Sequence, residues 1–385
     1  MANEEKDLNE QVKEGELEQI NKMKVTLENL RSKNSTILFF ITSTPSPAAS
    51  VYEIYNHATI LKNLGYFVKM LTDDVNYQVP DWIEKELTDI PHEHMASAKF
   101  TVTPADMLVI PEIFSNVMEQ TKNLPCIRVG FLQGIDYMLN ALTPGMDWSE
   151  LGIKKVITTS NNLKNLMEEY FGKGKFDIKT YDIGIPDYFK KTDMPKRPVI
   201  SIVGRNPNEI SKIVKLFYAR YPHYRWVTFD TMLTESKPPK PMRRKDFADK
   251  LARNFAAVWV DRIASFGTFP VECMKVGTIP IALKPDITPE YLVDQEGNYV
   301  QDTGVWTDDI YALPLLIGDT LIKFLDDSIP EEMYQKMDKI AENYNATKSK
   351  EQIEKIYTDL FNERAATFEE AIKNVEQKST VVEEK

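Results

Sequence analysis

From Thr36 onward the chain alternates short, almost wholly apolar runs with longer stretches whose apolar residues recur at helical spacing. Thr36–Ile41 is the first such run. Thr42–Ser50 is small and polar, Val51–Leu64 has helical periodicity, and a turn at Gly65 leads into the run Phe67–Thr72. Strands that are apolar on both faces belong to parallel sheets covered by helices on both sides, so this unit predicts strand, loop, helix and parallel strand. Further strands are expected at Met107–Ile110, Ile127–Leu132 and Lys155–Thr159, the last followed by Ser160 and Asn161 as caps of a helix Leu163–Phe171.

Between Gly172 and Pro198 the glycines, lysines and prolines read as a linker, and the same architecture then restarts. A strand is expected at Val199–Val203, a turn at Gly204–Asn208, a helix at Glu209–Ala219 and a strand at Arg225–Phe229. A loop rich in proline and lysine, a helix Phe247–Asn254 and a strand Ala256–Val260 follow. Helices from Leu315 close the chain. The prediction is α/β, with two Rossmann-like domains facing across a cleft and a helix in front of them. Residues 1–34 form an N-terminal helical extension, 35–190 a first domain and 191–345 a second. Residues 346–376 form helices returning to the body, and 377–385 a disordered tail. The leading helix carries a weak stripe, Leu17, Ile20, Lys24, Leu27 and Arg31, so it pairs with another chain, lies back on the body, or stays solvated and partly frayed.

Composition narrows the class without changing this picture. At 385 residues the chain exceeds what one hydrophobic core usually supports, and 42% apolar with 27% charged residues is ordinary for a globular protein. A net charge of −11 argues against binding nucleic acid by general phosphate neutralisation, although a local basic patch remains compatible with it. Cys126 and Cys273 are too few for a disulfide framework or a zinc cluster, which points to a reducing compartment. No apolar run reaches the roughly 20 residues of a membrane span. The expected location is cytoplasmic.

The densest chemistry lies in Ala264–Ile281, where a Gly-bearing loop, a helical turn with a carboxylate, a second glycine and an apolar strand follow in order. Phe266 and Gly267 let backbone N–H groups approach an anion at a helix N-terminus, with Thr268 opening the helix. Glu272 then offers a carboxylate that accepts from paired hydroxyls, so phosphate and hydroxyl recognition together suit a nucleotide or a sugar nucleotide. The plainer alternative is a helix–turn–strand joint with Gly277 as C-cap. The loop before the first-domain helix lacks G-x-G-x-x-G, yet small Ala48, Ala49 and Ser50 admit a phosphate or sugar at the carboxyl end of the first strand. Gln133, Gly134 and Asp136 follow another strand, Asp136 being either a plain N-cap or catalytic.

In the second domain Gly204 and Arg205 stand just past a strand, where an always-charged fork suits a diphosphate. Lys212, farther along the next helix, adds a point charge or faces solvent. Glu290 is either a ligand contact or a solvated carboxylate at a helix start. His57, His92, His94 and His223 form no metal constellation, and no metal site is expected. The run Lys237–Lys245 is a solvated flank or a surface for an anionic acceptor, membrane headgroups or nucleic acid.

Five landmarks in order over residues 36–361 resemble the GT-B glycosyltransferases, specifically the large retaining group called group 1 or family four. They are Ala49–Glu53 with Leu61–Thr72, Val156–Leu163, Ile183–Phe189, Val203–Arg205, and Ser265–Gly267 through Glu272 to Pro280. The resemblance implies a hexosyltransferase that moves a sugar from a nucleotide-diphosphate sugar to a hydroxyl acceptor with retention, without metal or resident cofactor. On it, Arg205 holds the donor diphosphate, Gly267 and Thr268 supply backbone contacts near the phosphates, and Glu272 holds ribose hydroxyls. The chain departs from the family at Ala264, where a first glutamate is usual, and at Ile210, where a lysine is usual. It also has Gln133 in place of a histidine, as in some rhamnosyltransferases of this fold. The partners implied are a nucleotide sugar and a glycan, lipid-linked or DNA acceptor, with self-association through the N-terminal helix. A role in glycan biosynthesis leads. A phage-type DNA-base glucosyltransferase and a catalytically degenerate scaffold subunit are the alternatives.

Overall fold

The computed structural model describes residues 2–44, 47–96, 101–234, 236–237, 239–262, 266–293 and 302–383. Ala264 and Ser265, singled out by the sequence, lie outside the described residues. The first domain carries strands β1 Thr36–Ile41, β2 Phe67–Thr72, β3 His92–His94, β4 Met107–Pro111, β5 Ile127–Leu132, β6 Lys155–Thr158 and β7 Asp177–Thr180. The second carries β8 Arg197–Val203, β9 Thr228–Asp230, β10 Asn254–Trp259, β11 Ile279–Leu283 and β12 Val305–Thr307. The helices are α1 Ala2–Arg31, α2 Ala49–Asn63, α3 Lys85–Thr88, α4 Ser115–Gln120, α5 Ile135–Ala141, α6 Asn161–Phe171, α7 Pro207–Arg220, α8 Arg244–Leu251, α9 Thr268–Lys275, α10 Leu313–Leu325, α11 Glu331–Asn343 and α12 Ala346–Glu383.

Both sheets are parallel throughout the described pairs. The first has seven strands in the order β3-β2-β1-β4-β5-β6-β7, and the second has five in the order β12-β11-β10-β8-β9. Strand order therefore reverses between β1 and β4 in one sheet and between β8 and β10 in the other. In open α/β sheets the crevice beyond the carboxyl ends at such a reversal is where ligands bind. The residues of β1, β4 and β5 are buried with at most one exception per strand, which explains why their sequences show no alternation.

Three apolar clusters account for the packing. One fills the outer face of the first sheet and another that of the second. The third runs from Phe39 and Tyr55 of the first domain through Ile183, Ile185 and Phe189 to Trp259, Val271 and Met274 of the second, so both domains share a continuous core. The carboxyl edges of the sheets face one another. Three contacts show it: Arg205 after β8 meets Tyr137 after β5, Glu290 after β11 meets Ser160 after β6, and Arg244 at the start of α8 meets Tyr52 at the start of α2.

The structure corrects several expectations. Residues 172–198 are not all linker, because β7 pairs with β6 and buries Ile178 at the sheet edge. The helix expected over Phe247–Asn254 starts at Arg244 and stops at Leu251, since Asn254 is taken into β10, where its Nδ2 donates to Ser201 Oγ at 2.8 Å. The strand expected at Arg225–Phe229 begins only at Thr228, after a short 3-10 turn Pro222–Tyr224 that leaves Trp226 exposed. In place of a disordered tail from 377, α12 continues to Glu383.

The N-terminal helix has an intramolecular partner. α1 lies along α12, with Lys24 paired to Glu376 at 2.9 Å and Arg31 to Glu369 at 2.5 Å, and with Ile20 and Leu30 buried. Of the stripe read from the sequence, Ile20 is buried and Lys24 and Arg31 pair with α12, while Leu17 stays exposed. α12 in turn stacks Phe361 on Tyr66, with ring centroids 4.8 Å apart, and places Tyr357 against Phe39 and His57. No described helix is long and apolar enough to cross a membrane.

Candidate functional site

On the second-domain side, β8 ends at Val203 and Gly204 follows, where an added Cβ would come within 3.1 Å of Val260 Cβ. That closeness keeps the turn tight against β10. Arg205 comes next: its backbone N–H donates to Asp261 Oδ1 at 2.8 Å, and its Nε lies 3.8 Å from Asp261 Oδ2. The side chain stays 64% exposed at the strand-order reversal, with the guanidinium carbon 5.9 Å from the centre of the Tyr137 ring across the cleft. Asp261 was not anticipated. Its position just past the carboxyl end of β10 was the available signal.

The loop before α9 is built around Gly267, whose φ of 69° lies in the left-handed region that glycine adopts without strain. As N-cap it supplies no side-chain acceptor, and the donors of the first turn are the N–H groups of Thr268 and Phe269, since Pro270 has none. Thr268 opens the helix and is buried. The Phe266 side chain is an anchor, packed 5.3 Å from Tyr291 and 5.1 Å from Tyr344, while Tyr291 Oη donates to the Gly267 carbonyl at 2.8 Å. At the other end Gly277, at φ 68°, closes α9, with the Thr278 N–H donating to the Cys273 carbonyl. The capping role and the loop geometry coexist in one segment.

Glu272 is buried and occupied on one oxygen, Oε1, which accepts from Arg244 Nη2 at 2.5 Å. Burial disfavours the Arg244 cation most, but Glu272, Tyr52 and Tyr188 outweigh it and hold the guanidinium firmly charged. Arg244 stands out within the basic run. Lys237, Lys240, Arg243 and Lys245 are exposed, as a solvated flank would be, whereas the Arg244 side chain is 10% exposed. Nothing in the sequence of the run distinguished it.

On the first-domain side, α2 begins at Ala49 with Ala48 as its N-cap, which offers no side-chain acceptor. The Ser50 carbonyl accepts from Gln133 Nε2 at 3.1 Å, so the end of β5 is tied to the start of α2 across the reversal point. Asp136 is not the N-cap of α5. Gly134 holds that position, leaving Asp136 exposed in the first turn, beside the Tyr137 that faces Arg205.

Glu112, which follows β4, was missed, although a carboxylate at the end of a predicted strand was a readable sign. It is 3% exposed, and burial pushes its carboxyl up to about 8 despite the backbone N–H groups of Glu112, Gln133 and Gly134 that favour the charged form. Its Oε2 is buried without a hydrogen-bond partner.

Other candidates fall outside this grouping. Lys212 Nζ sits over the Tyr311 ring at 5.3 Å, and Ile210 packs toward the core of the second sheet. Glu290 is neither solvated nor free. Its Oε1 accepts from Ser160 Oγ at 2.8 Å and from the Asn162 N–H at 3.0 Å, capping α6 from the opposite domain. Ser160→Ala is expected to cost about 1 kcal/mol, the usual loss of an N-cap, measurable as a lower denaturant midpoint. His57 is core: Nδ1 lies 3.1 Å from Tyr357 Oη, and burial pulls its pKa down to about 3. His92 Nε2 meets Tyr55 Oη at 2.7 Å, and His223 packs on Tyr224.

Neither a protein-family profile nor a curated protein matches the sequence significantly. Solved structures do match in fold. Sucrose-phosphate synthase from Thermosynechococcus elongatus superposes with a TM-score of 0.58 at 13% identity, over 85% of this chain and 99% of that one. Anabaena HepE, solved in complex with UDP-glucose, gives 0.56 at 14% identity over 84% and 99%. A glycosyltransferase from Rickettsia africae gives 0.54 at 14% identity over 85% and 98%. With two parallel sheets joined at their carboxyl edges and these structural neighbours, the chain has the GT-B fold.

Proposed function

We propose that this protein is a glycosyltransferase that takes a sugar from a nucleoside-diphosphate sugar and passes it to a hydroxyl acceptor. The observation that carries the proposal is the pairing of an exposed Arg205 at the reversal point of the second sheet with the glycine-capped N-terminus of α9 on the same carboxyl edge. A cation and helix N-terminal backbone donors are what a leaving diphosphate needs as its charge develops. Anabaena HepE, which shares the fold, was solved with UDP-glucose.

In this reading Glu272 uses the oxygen not engaged by Arg244 to accept from ribose hydroxyls, since a carboxylate has acceptor sites to spare. Gln133 and the first turns of α2 and α5 line the acceptor side. The acceptor hydroxyl attacks from the face the diphosphate leaves, giving retention. The diphosphate is stabilised by Arg205 and the α9 N–H groups, so the reading needs no resident cofactor.

The test is a thermal-shift screen of UDP, ADP, GDP and dTDP and their hexose conjugates, because a ligand bound to the folded state raises its apparent stability by mass action. A saturable rise in Tm with one nucleotide series, followed by release of that diphosphate with a glycan, lipid-linked or DNA acceptor, is the expected result. A chain indifferent to every nucleoside diphosphate would overturn the proposal.

A further inference from the structure

Arg244 joins the two halves of the cleft. Its backbone N–H donates to the Trp82 carbonyl of the first domain at 3.0 Å, and its guanidinium carbon lies 3.7 Å from the centre of the Tyr52 ring. The Phe189 ring of the interdomain segment is 5.6 Å away. On the remaining side Nη2 reaches Glu272 on α9.

The placement is costly by itself. A cation at the first residue of a helix opposes the helix dipole, and burying a guanidinium forfeits hydration that only close partners offset. Those partners come from different domains. The aromatic face belongs to α2, two residues beyond the Ser50 carbonyl that holds Gln133, and the carboxylate belongs to α9. A planar fork gripped between a ring and a carboxylate fixes the carboxylate's orientation, which a freely rotating ammonium does less well.

We infer that Arg244 is a positioning residue through which Tyr52 of the first domain sets the carboxylate of Glu272 for the nucleotide's ribose. The inference rests on the donor-site reading above and adds to it that nucleotide affinity depends on a side chain in the opposite domain. The dependence is confined to the ribose, because Arg205 and the α9 N-terminus reach the phosphates without Arg244.

The test is calorimetric titration of the full-length chain with the nucleoside diphosphate that stabilises it and, separately, with inorganic pyrophosphate. Tyr52→Leu and Arg244→Met are each expected to weaken nucleoside-diphosphate binding about tenfold, the equivalent of one well-made polar contact, with pyrophosphate affinity held. Arg244→Lys, which keeps the charge but loses the fork, should recover part of the loss. Tyr52→Phe keeps the aromatic face and should recover most of the affinity that Tyr52→Leu loses. Equal losses for nucleotide and pyrophosphate would assign Arg244 to general folding and overturn the inference, as would variants with undiminished nucleotide affinity. An unaltered chain that binds pyrophosphate and no nucleoside diphosphate overturns the donor reading itself, an outcome separate from any behaviour of the variants.

Discussion

Arg205→Ala is expected to reduce sugar transfer about a hundredfold, the scale seen when one preorganised donor to a developing oxyanion is removed. The loss should fall on kcat more than on donor KM, because the charge that Arg205 meets grows as the diphosphate departs. The side chain is suited to this by being anchored at its base and largely exposed beyond it. Asp261 fixes the backbone N–H, while the side chain stays largely exposed at the cleft. Arg205→Lys should keep part of the rate, since it restores charge without the bidentate fork. Steady-state kinetics on both variants checks this, and an Arg205→Ala enzyme with unchanged kcat would remove Arg205 from the chemistry.

Glu112→Gln is expected to stabilise the protein above neutral pH and to leave it almost unchanged in mild acid. The folded-state value of Glu112, about 8, lies above the ordinary carboxyl value of 4.5. The stability contributed by its neutral form is therefore complete below about pH 4.5 and lost as pH rises through 8. At pH 8.5 the amide, which never ionises, should be more stable by on the order of 4 kcal/mol. Urea unfolding at pH 5 and pH 8.5 gives the comparison, and equal differences at both would refute it. Glu53, raised to about 7 chiefly by burial and hydrogen-bonded by Tyr181 Oη at 3.0 Å, works in the same direction. His57 works in the opposite one. Its folded value near 3 means that stability is lost as pH falls below 6.5 toward 3. Between pH 4.5 and 6.5 two carboxyls outweigh one imidazole, so these three groups together favour the acid end of that window.

Much of the fold is legible in the sequence. β1, β2 and β5 coincide with the runs that predicted them, because strands covered on both faces need mostly apolar residues, Lys69 and Arg128 being their charged exceptions. Edge strands need far less. Asp177–Thr180 carries a single apolar residue, Ile178, and is a strand because β6 is there to pair with it. Arg205 and Gly267 were readable because they stand where a strand or a helix begins or ends, and chain order marks such places. The Arg244–Glu272 pair was not, since its meaning depends on Tyr52, which only the packing of the domains brings into reach. Glu290 shows the same limit, being a cap for a helix in the other domain.

The path of α12 bears on how the molecule is made. Tyr357 and Phe361 complete the first domain's core around His57 and Tyr66, and α12 then receives α1, which stands before the first domain in the chain. The first domain, synthesised before the second, therefore waits, with an apolar face uncovered, until the whole second domain has emerged. A ribosome-bound chain truncated near residue 190 should bind a hydrophobic dye or a chaperone, and lose that binding once residues through 361 are outside the exit tunnel.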